Sequence, residues 1–232
     1  MNCPSGKPKR EIPRYGLFCG LLFLFVFSSA LSAQAADEEI FRYPLGSSTE
    51  KAFMTTCQKL SEHPLIRGSF EQEKILKRHN RSLKSSGNFI IAAELGMVWD
   101  TVKPFPSVLA LGKDFLVQSR PGGQKNVLNA QGNETFIRMA DVLSAVFSGN
   151  SRALVDNFKV YYQSAGTSWE IGLSPLDNAI NSFAEKIIMK GDAAIRSIHI
   201  FEQNGDSIKY ILSNHSYPAQ LESNEKALFA YP

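Results

Sequence analysis

The 232-residue chain has few of the residues from which metal sites and disulfides are built. It contains three cysteines and four histidines, and no two histidines have the i, i+4 spacing of a helical zinc motif. Glycine loops that bind phosphate or dinucleotides are also missing, as is the G-x-S-x-G turn of serine hydrolases. The sequence therefore predicts no metal, no cofactor and no catalytic residue, and we expect a protein that is not an enzyme.

An excess of charge is also missing once the N-terminal segment is set apart. The chain carries 25 Lys and Arg residues and 22 Asp and Glu residues, for a formal net charge of +3. Residues 1–35 contain four of the basic residues and one of the acidic ones, which leaves 21 of each sign. Because a neutral domain lacks the positive field that holds nucleic acid, we expect no nucleic-acid partner.

One long apolar run is present, and it lies near the N-terminus. Basic residues precede the apolar stretch 17–27, and small residues ending in Ala35 follow it. This order is typical of a secretory signal peptide. The alternative is an uncleaved anchor, because roughly 20 apolar residues span a bilayer. We predict a signal peptide over residues 1–35 and a single exported domain over residues 36–232.

Two segments have the hydrophobic period of a helix. The first begins with the capping box Ser47–Glu50 and continues to about Ser61. The second spans residues 134–147, and its polar residues form only a narrow stripe. A helix that is apolar around most of its circumference needs cover on more than one side.

Alternation of apolar and polar residues predicts about ten short strands. The turns between them are too short for crossover helices, so neighbouring strands must be antiparallel. Asn204–Gly205 is the favoured pair for a tight hairpin. We predict a mainly β protein with one large, curved antiparallel sheet, whose strands cover residues 66–76, 85–93, 97–103, 107–111, 114–119, 157–164, 167–173, 183–190, 195–203 and 206–214.

The concave face of such a sheet has to be filled or covered. If the two helices fill it, its apolar residues form an ordinary core. If they cover it loosely, the same residues line a cavity for acyl chains. Periodicity alone favours neither, and the residues concerned are Phe70, Phe89, Ile91, Met97, Trp99, Leu109, Leu111, Trp169, Ile171 and Met189.

A basic cluster surrounds the first predicted hairpin turn. It consists of Lys74, Lys77, Arg78, Arg81 and Lys84. We interpret it as a solvated tip, and the alternative is a surface that docks an acidic partner or phospholipid headgroups.

Several short motifs resemble those of the LolA family of periplasmic lipoprotein carriers. The segment 68–72 (GSFEQ) precedes 86–89 (SGNF) and 96–99 (GMVW), and Trp99 follows Gly87 by twelve residues. The later segment 169–175 (WEIGLSP) and the hairpin around Asn204 also occur where the family has them. Their order and spacing carry the resemblance, which covers almost all of the chain after the signal peptide.

This resemblance implies an unclosed β-barrel in which helices, including 134–147, form a lid over a hydrophobic cavity. It implies a periplasmic carrier, expected to be a monomer, that receives acylated lipoproteins or other lipid from an inner-membrane release transporter and delivers it to an outer-membrane acceptor. The alternative is an envelope lipid sensor or interaction module of the same fold. The cavity-lining residues would be Phe70, Phe89, Ile91, Met97, Trp99, Leu109, Leu111, Met139, Leu143, Trp169 and Ile171.

One position departs from the family pattern. Relatives commonly have an arginine just before the proline of a strand turn, and this arginine ties the lid shut. Aligned from Gly87, the position is Ala93 here, and Glu94 replaces the proline. We therefore expect a divergent paralogue that lacks this clasp and whose cargo is another lipid or an acylated or polyene-like molecule.

Overall fold

The structure is a computed structural model that describes residues 39–112, 115–123, 125–129, 141–142 and 144–229, without the side chains of residues 128 and 129. All of these residues belong to one compact unit, Asp37–Pro232. No helix in the described ranges is long and apolar enough to cross a bilayer.

An antiparallel sheet of eleven strands makes up most of the described chain. Its order is β6-β5-β4-β3-β2-β1-β11-β10-β9-β8-β7, so two meanders meet where β1 pairs with β11. The outermost strands, β6 and β7, do not pair with each other. The predicted unclosed β-barrel is therefore confirmed, with strands β1 Leu65–Leu76, β2 Arg81–Ala92, β3 Gly96–Lys103, β4 Ser107–Leu111, β5 Phe115–Ser119, β6 Asn126–Asn129, β7 Phe158–Ala165, β8 Ser168–Pro175, β9 Lys186–Gly191, β10 Ile195–Phe201 and β11 Ser207–Ser216.

Five α-helices accompany the sheet in the described ranges. They are α1 Ser47–Ser61, α2 over residues 141–148 with residue 143 not described, α3 Ser151–Asn157, α4 Asn178–Asn181 and α5 Ser223–Phe229. Residues 134–140 of the second predicted helix lie outside the described residues. Short 3-10 helices occupy Glu39–Arg42 and Lys77–His79.

The start of α1 differs from the predicted capping box by one position. The N-cap is Gly46 instead of Ser47, and the Thr49 hydroxyl accepts a hydrogen bond from the Gly46 N–H at 3.2 Å. A threonine at the third helical position can make this bond without a side chain on the cap itself, so the glycine is tolerated here.

Two apolar clusters lie on opposite faces of the sheet. We call the face covered by α1, α2 and α3 the inner face, and its cluster contains Phe53, Val146 and Leu154 from these helices. The outer face is covered by α5, whose Phe229 belongs to a smaller cluster. That cluster contains Leu65, Ala92, Val98, Ala110 and Phe229.

The edge strand β7 is covered by the segment that precedes α1. The Leu45 N–H donates to the Val160 carbonyl at 2.9 Å, and the Tyr162 N–H donates to the Tyr43 carbonyl at 3.0 Å. These bonds satisfy backbone groups that an exposed edge would offer to another chain.

An ion pair fastens α5 to the outer face. Arg67 Nε on β1 donates to Glu225 Oε1 at 2.6 Å, and a second guanidinium nitrogen contacts Oε2. The Glu222 N–H also donates to Glu225 Oε2, at 2.7 Å. The hydrogen bonds from Arg67 and Glu222 hold the pKa of the Glu225 carboxyl below its usual value, against the opposing effect of burial.

We expect Glu225→Gln to lower the free energy of unfolding by about 1–2 kcal/mol at neutral pH, because the charged hydrogen bonds to Arg67 are weakened. A lowered pKa gives stability that is fully present above the unfolded carboxyl pKa of about 4.3 and is lost as the pH falls through the folded value. The difference between the thermal melts of the two proteins should therefore be constant at neutral pH and shrink as the pH falls below about 4.3. A constant difference from about pH 8 down to about pH 3 would contradict the assignment.

Candidate functional site

Aromatic rings meet at Trp99 in the middle of the inner face. Its ring centroid lies 5.1 Å from that of Phe70, 5.5 Å from those of Phe89 and Tyr210, and 5.6 Å from that of Phe147. The strand register explains the contact with Phe89, because Trp99 on β3 stands directly opposite Phe89 on β2. Phe147 belongs to α2, so the cluster joins this helix to the sheet.

The inner face is packed by side chains of the helices. Phe53, Cys57 and Leu60 project from α1, and Phe147 from α2. Burial raises the pKa of the Cys57 thiol to about 12, so this cysteine stays protonated and acts as a small apolar residue. The helices therefore fill the inner face in this conformation.

The residues predicted to line a cavity occupy this packed face. Leu109 lies opposite Trp99 in the register and is 37% exposed. Trp99 is partly buried against the core. Met139 and Leu143 lie outside the described side chains. The others are buried in the inner cluster: Phe70, Phe89, Ile91, Met97, Leu111, Trp169, Ile171 and, from the wider set, Met189. Their role in binding cargo stays a prediction.

A cleft of about 520 Å³ opens at one end of the inner face. It lies between the C-terminal half of α1, the segment 147–151 that links α2 to α3, and strands β1 and β2. Ile66, Ile91 and Phe147 give it an apolar floor, and Met54 stands at its edge with 48% of its surface exposed. Its polar lining residues are Gln58, Ser61, His63, Ser148, Asn150 and Ser151.

A narrow space continues from the cleft towards the core. It shares Ile66, Ile91 and Phe147 with the cleft and reaches Phe89 and Leu212. Its volume is about 20 Å³, room for about one water molecule. The cleft thus lies at the outer end of the interface between the helices α1 and α2 and the sheet. Beyond the cleft, the side chains of this interface leave no room for an acyl chain.

Ala93 lies at the position where the family pattern has a basic residue. It is exposed and lines the cleft, and its N–H donates to the Pro64 carbonyl at 2.9 Å. The methyl side chain has no group that could form a hydrogen bond across the cleft to the 147–151 segment. The cleft is therefore not spanned from this position.

Two contacts hold α1 in place instead. The Thr56 hydroxyl and the Tyr162 hydroxyl on β7 are 2.8 Å apart and share a hydrogen bond. At Gly149, just after α2, the backbone has φ +63°, and an added Cβ would lie 2.7 Å from the Cys57 carbonyl oxygen and 2.8 Å from the Leu60 Cβ. The end of α2 therefore rests directly on α1.

The indole N–H of Trp99 is buried and has no hydrogen-bond partner among the described residues. Most buried donors are paired, so an unpaired one needs an explanation.

Within the described part of the chain, no group of three or more His, Cys, Asp or Glu side chains is arranged to hold a metal ion.

Sequence reasoning identified one apolar residue of the cleft and missed three others. Alternation along β2 indicated Ile91, whereas Met54, Ile66 and Phe147 were read only as helix or strand residues. Gly149, which follows the segment predicted as the second helix, has the positive φ that is common where a helix ends. Its close approach to α1 depends on tertiary packing and has no signal in the sequence.

The solved structures that match this chain have very low sequence identity to it. A LolA superfamily protein from Nitrosomonas europaea is 8% identical, with a TM-score of 0.41 over 75% of this chain and 95% of the other. The lipoprotein LppX from Mycobacterium tuberculosis is 10% identical, with a TM-score of 0.38 over 75% and 100% of the two chains. The MucA/MucB complex of Pseudomonas aeruginosa is 11% identical, with a TM-score of 0.33 over 75% of this chain and 58% of the other.

Sequence comparison gives the family. No curated protein matches the chain. The family model described as outer membrane lipoprotein carrier protein LolA matches residues 63–230, which run from the end of α1 through all eleven strands to α5. This match covers well over half of the chain and includes the sheet, the floor of the cleft and the motifs around Gly87 and Trp99. The protein therefore belongs to the LolA family.

Proposed function

We propose that this protein is a periplasmic carrier of acylated lipoproteins or related lipids. Its N-terminal residues 1–35 act as a cleaved signal peptide, and residues 36–232 form the carrier domain. It takes cargo from a release transporter in the inner membrane to an acceptor in the outer membrane. Family membership supports the lipid-binding part of this proposal.

The cleft is the observation on which the proposal depends. Its volume of about 520 Å³ lies within the range of about 300–1,000 Å³ that is usual for sites of small molecules. Its floor residues, Ile66, Ile91 and Phe147, lead directly to the apolar inner face. An acyl chain that enters here meets the seam between α1, α2 and the sheet.

Binding proceeds without covalent chemistry. The chain displaces side chains of α1 and α2 from the inner face and takes their place against residues such as Phe89 and Met97. Each methylene transferred from water contributes about 0.8 kcal/mol, which offsets the lost helix contacts. The unpaired indole N–H of Trp99 is then available to donate a hydrogen bond to the carbonyl of the acyl group.

Binding of a fluorescent fatty acid, cis-parinaric acid, tests this site. Met54→Glu should weaken its binding about five- to tenfold, because the substitution removes apolar contact at the cleft and adds a charge that repels the probe's carboxylate. Val155→Glu on α3 is the matched control, since Val155 is 46% exposed and Met54 48%. Its affinity should stay within about twofold. Equal losses in both variants, or no saturable binding by the wild type, would refute the proposal.

A further inference from the structure

Three turns of the sheet point towards the end opposite the cleft, and the β1–β2 hairpin extends five residues beyond the level at which β3 ends. In the register, Ser86 stands opposite Lys103 and Val108 opposite Ser119. The β1–β2 turn around residues 77–80, the β3–β4 turn at 104–106 and the β5–β6 turn that begins at residue 120 are therefore at the same end. We call this surface the hairpin end. The cleft residues Ile91 and Ala93 lie at the other end of β2.

The hairpin end is strongly basic. The segments 77–84, 103–107 and 120–125 contain no acidic residue. The neighbouring β10–β11 turn contributes Glu202 and Asp206, but Glu202 pairs with Lys74 at 3.0 Å and Asp206 accepts a hydrogen bond from the Lys77 N–H at 2.9 Å. The exposed basic residues of the three segments are Lys77, Arg78, Arg81, Lys84, Lys103, Arg120 and Lys125.

Large apolar side chains are exposed among these charges. Phe105 is 82% exposed at the tip of the β3–β4 turn, between two prolines. Leu83 is 54% exposed and Val102 48%. Transfer of an aromatic ring this open to water into an apolar environment is favourable, so Phe105 can contribute to binding where it is covered. The mixture of exposed cations with a protruding ring is typical of proteins that bind the surface of a membrane.

We propose that the hairpin end docks on a bilayer rich in anionic phospholipid. The basic side chains contact the lipid phosphates, and Phe105 inserts between the headgroups. Charge complementarity favours this occupant, because the segments 77–84, 103–107 and 120–125 carry seven cations and no acidic residue, although Glu73 on β1 lies 3.7 Å from Lys84. Docking at this end leaves the cleft, at the far end of β2, open to a soluble partner or cargo. The inference stands independently of what the cleft binds.

Flotation with lipid vesicles tests the surface. The protein is purified as the expressing cell produces it, with or without residues 1–35, and the wild type and all variants are compared in the same form. Vesicles are made of phosphatidylcholine alone or with 30% phosphatidylglycerol. We expect at least tenfold tighter binding to the anionic vesicles, and loss of most of that binding in high salt, because headgroup attraction is screened within a Debye length.

Two variants and two controls locate the binding. Arg78→Glu with Arg81→Glu should weaken binding to anionic vesicles at least tenfold, whereas Lys51→Glu with Arg152→Glu makes the same change in charge on α1 and α3, outside the three basic segments, and should have little effect. Phe105→Ser should weaken it about tenfold on both vesicle types. Its control is Leu95→Ser, since Leu95 is exposed on the β2–β3 turn at the opposite end.

Specific outcomes would overturn the proposal. They are equal binding of the wild type to neutral and anionic vesicles, no vesicle binding at all, or equal losses in the variants and their controls. A hairpin end that captures an acidic protein but no vesicle would also refute it. Fatty-acid binding should be unchanged in Phe105→Ser, so failure of this surface and failure of the cleft are separable.

Discussion

Replacing Gly87 with alanine is expected to lower the free energy of unfolding by about 3 kcal/mol or more. Overpacking a well-filled region typically destabilises by about 1–3 kcal/mol, and more where the obstacle cannot move. A Cβ at Gly87 would lie 1.9 Å from the carbonyl oxygen of Asp100 and 2.9 Å from Thr101 Cα. Both obstacles are backbone atoms of β3, so no side-chain rotation relieves the overlap.

The overlap would separate the two strands that carry the aromatic cluster. Gly87 lies where the β2–β3 register shifts, two residues before Phe89, which stands opposite Trp99. Moving β3 away therefore opens the Phe89–Trp99 contact as well as the backbone ladder. Small domains have only about 5–15 kcal/mol of net stability, so this single methyl group removes a large fraction of it.

Urea unfolding followed by tryptophan fluorescence measures this effect. Gly46→Ala is the matched control, because Gly46 has no heavy atom within 4 Å of an added Cβ and a φ of −144° that alanine adopts freely. Its stability should change by less than about 1 kcal/mol, the usual difference between glycine and alanine at an N-cap. Equal urea midpoints for the two variants would show that β2 and β3 do not approach this closely.

Gly87 also shows where sequence reasoning stops. Its spacing from Trp99 identified the family motif, but the need for glycine comes from the backbone of a different strand. The sheet was easier to predict, because inner and outer residues alternate along each strand. The exception is β6, Asn126–Asn129, whose four residues are too short to show an alternation. Likewise α5 depends on Arg67, which is 158 residues away from Glu225.

The candidate site was predicted less completely than the fold. Periodicity placed Phe70, Met97 and Trp99 on one face, and the structure shows them there. Whether that face is open or filled depends on the summed volumes of α1, α2 and sheet side chains. No local pattern encodes that sum, since each helix pattern states only which side is apolar. The cleft arises for the same reason, from the place where this filling ends.

Weakening the contact between α1 and the end of α2 is expected to increase the affinity for fatty acid. We expect Gly149→Ala to destabilise the protein by about 2 kcal/mol and, because about half of this comes from overlap with α1, to tighten fatty-acid binding about fivefold. The alanine needs an unfavourable positive φ, and its Cβ would press on the Cys57 carbonyl and the Leu60 side chain of α1. The overlap with α1 penalises only the closed lid and is relieved once α1 moves away, whereas the cost of the positive φ at the end of α2 is present in both states and lowers stability alone.

Tyr162→Phe should also lower the stability and tighten fatty-acid binding, with a smaller loss of stability than Gly149→Ala. It removes the hydroxyl that shares a 2.8 Å hydrogen bond with Thr56, and it keeps the ring that packs on Phe53 at 5.8 Å. Loss of this bond weakens the hold of β7 on α1 by about 1 kcal/mol, which corresponds to up to about fivefold tighter binding. Urea unfolding and cis-parinaric acid titration, performed on the same samples, give both quantities.

The sign of the affinity change distinguishes a movable lid from a permanent core. If cargo binds only when α1 and α2 lift, free energy removed from the closed state reappears as affinity, tenfold for about each 1.4 kcal/mol. If the helices never leave the inner face, both variants lose stability while affinity stays constant or falls. Glu225→Gln is the control, because it weakens α5 on the outer face and should lower stability without any gain in affinity. A gain in that variant would mean that general loosening, and not release of α1, admits the probe.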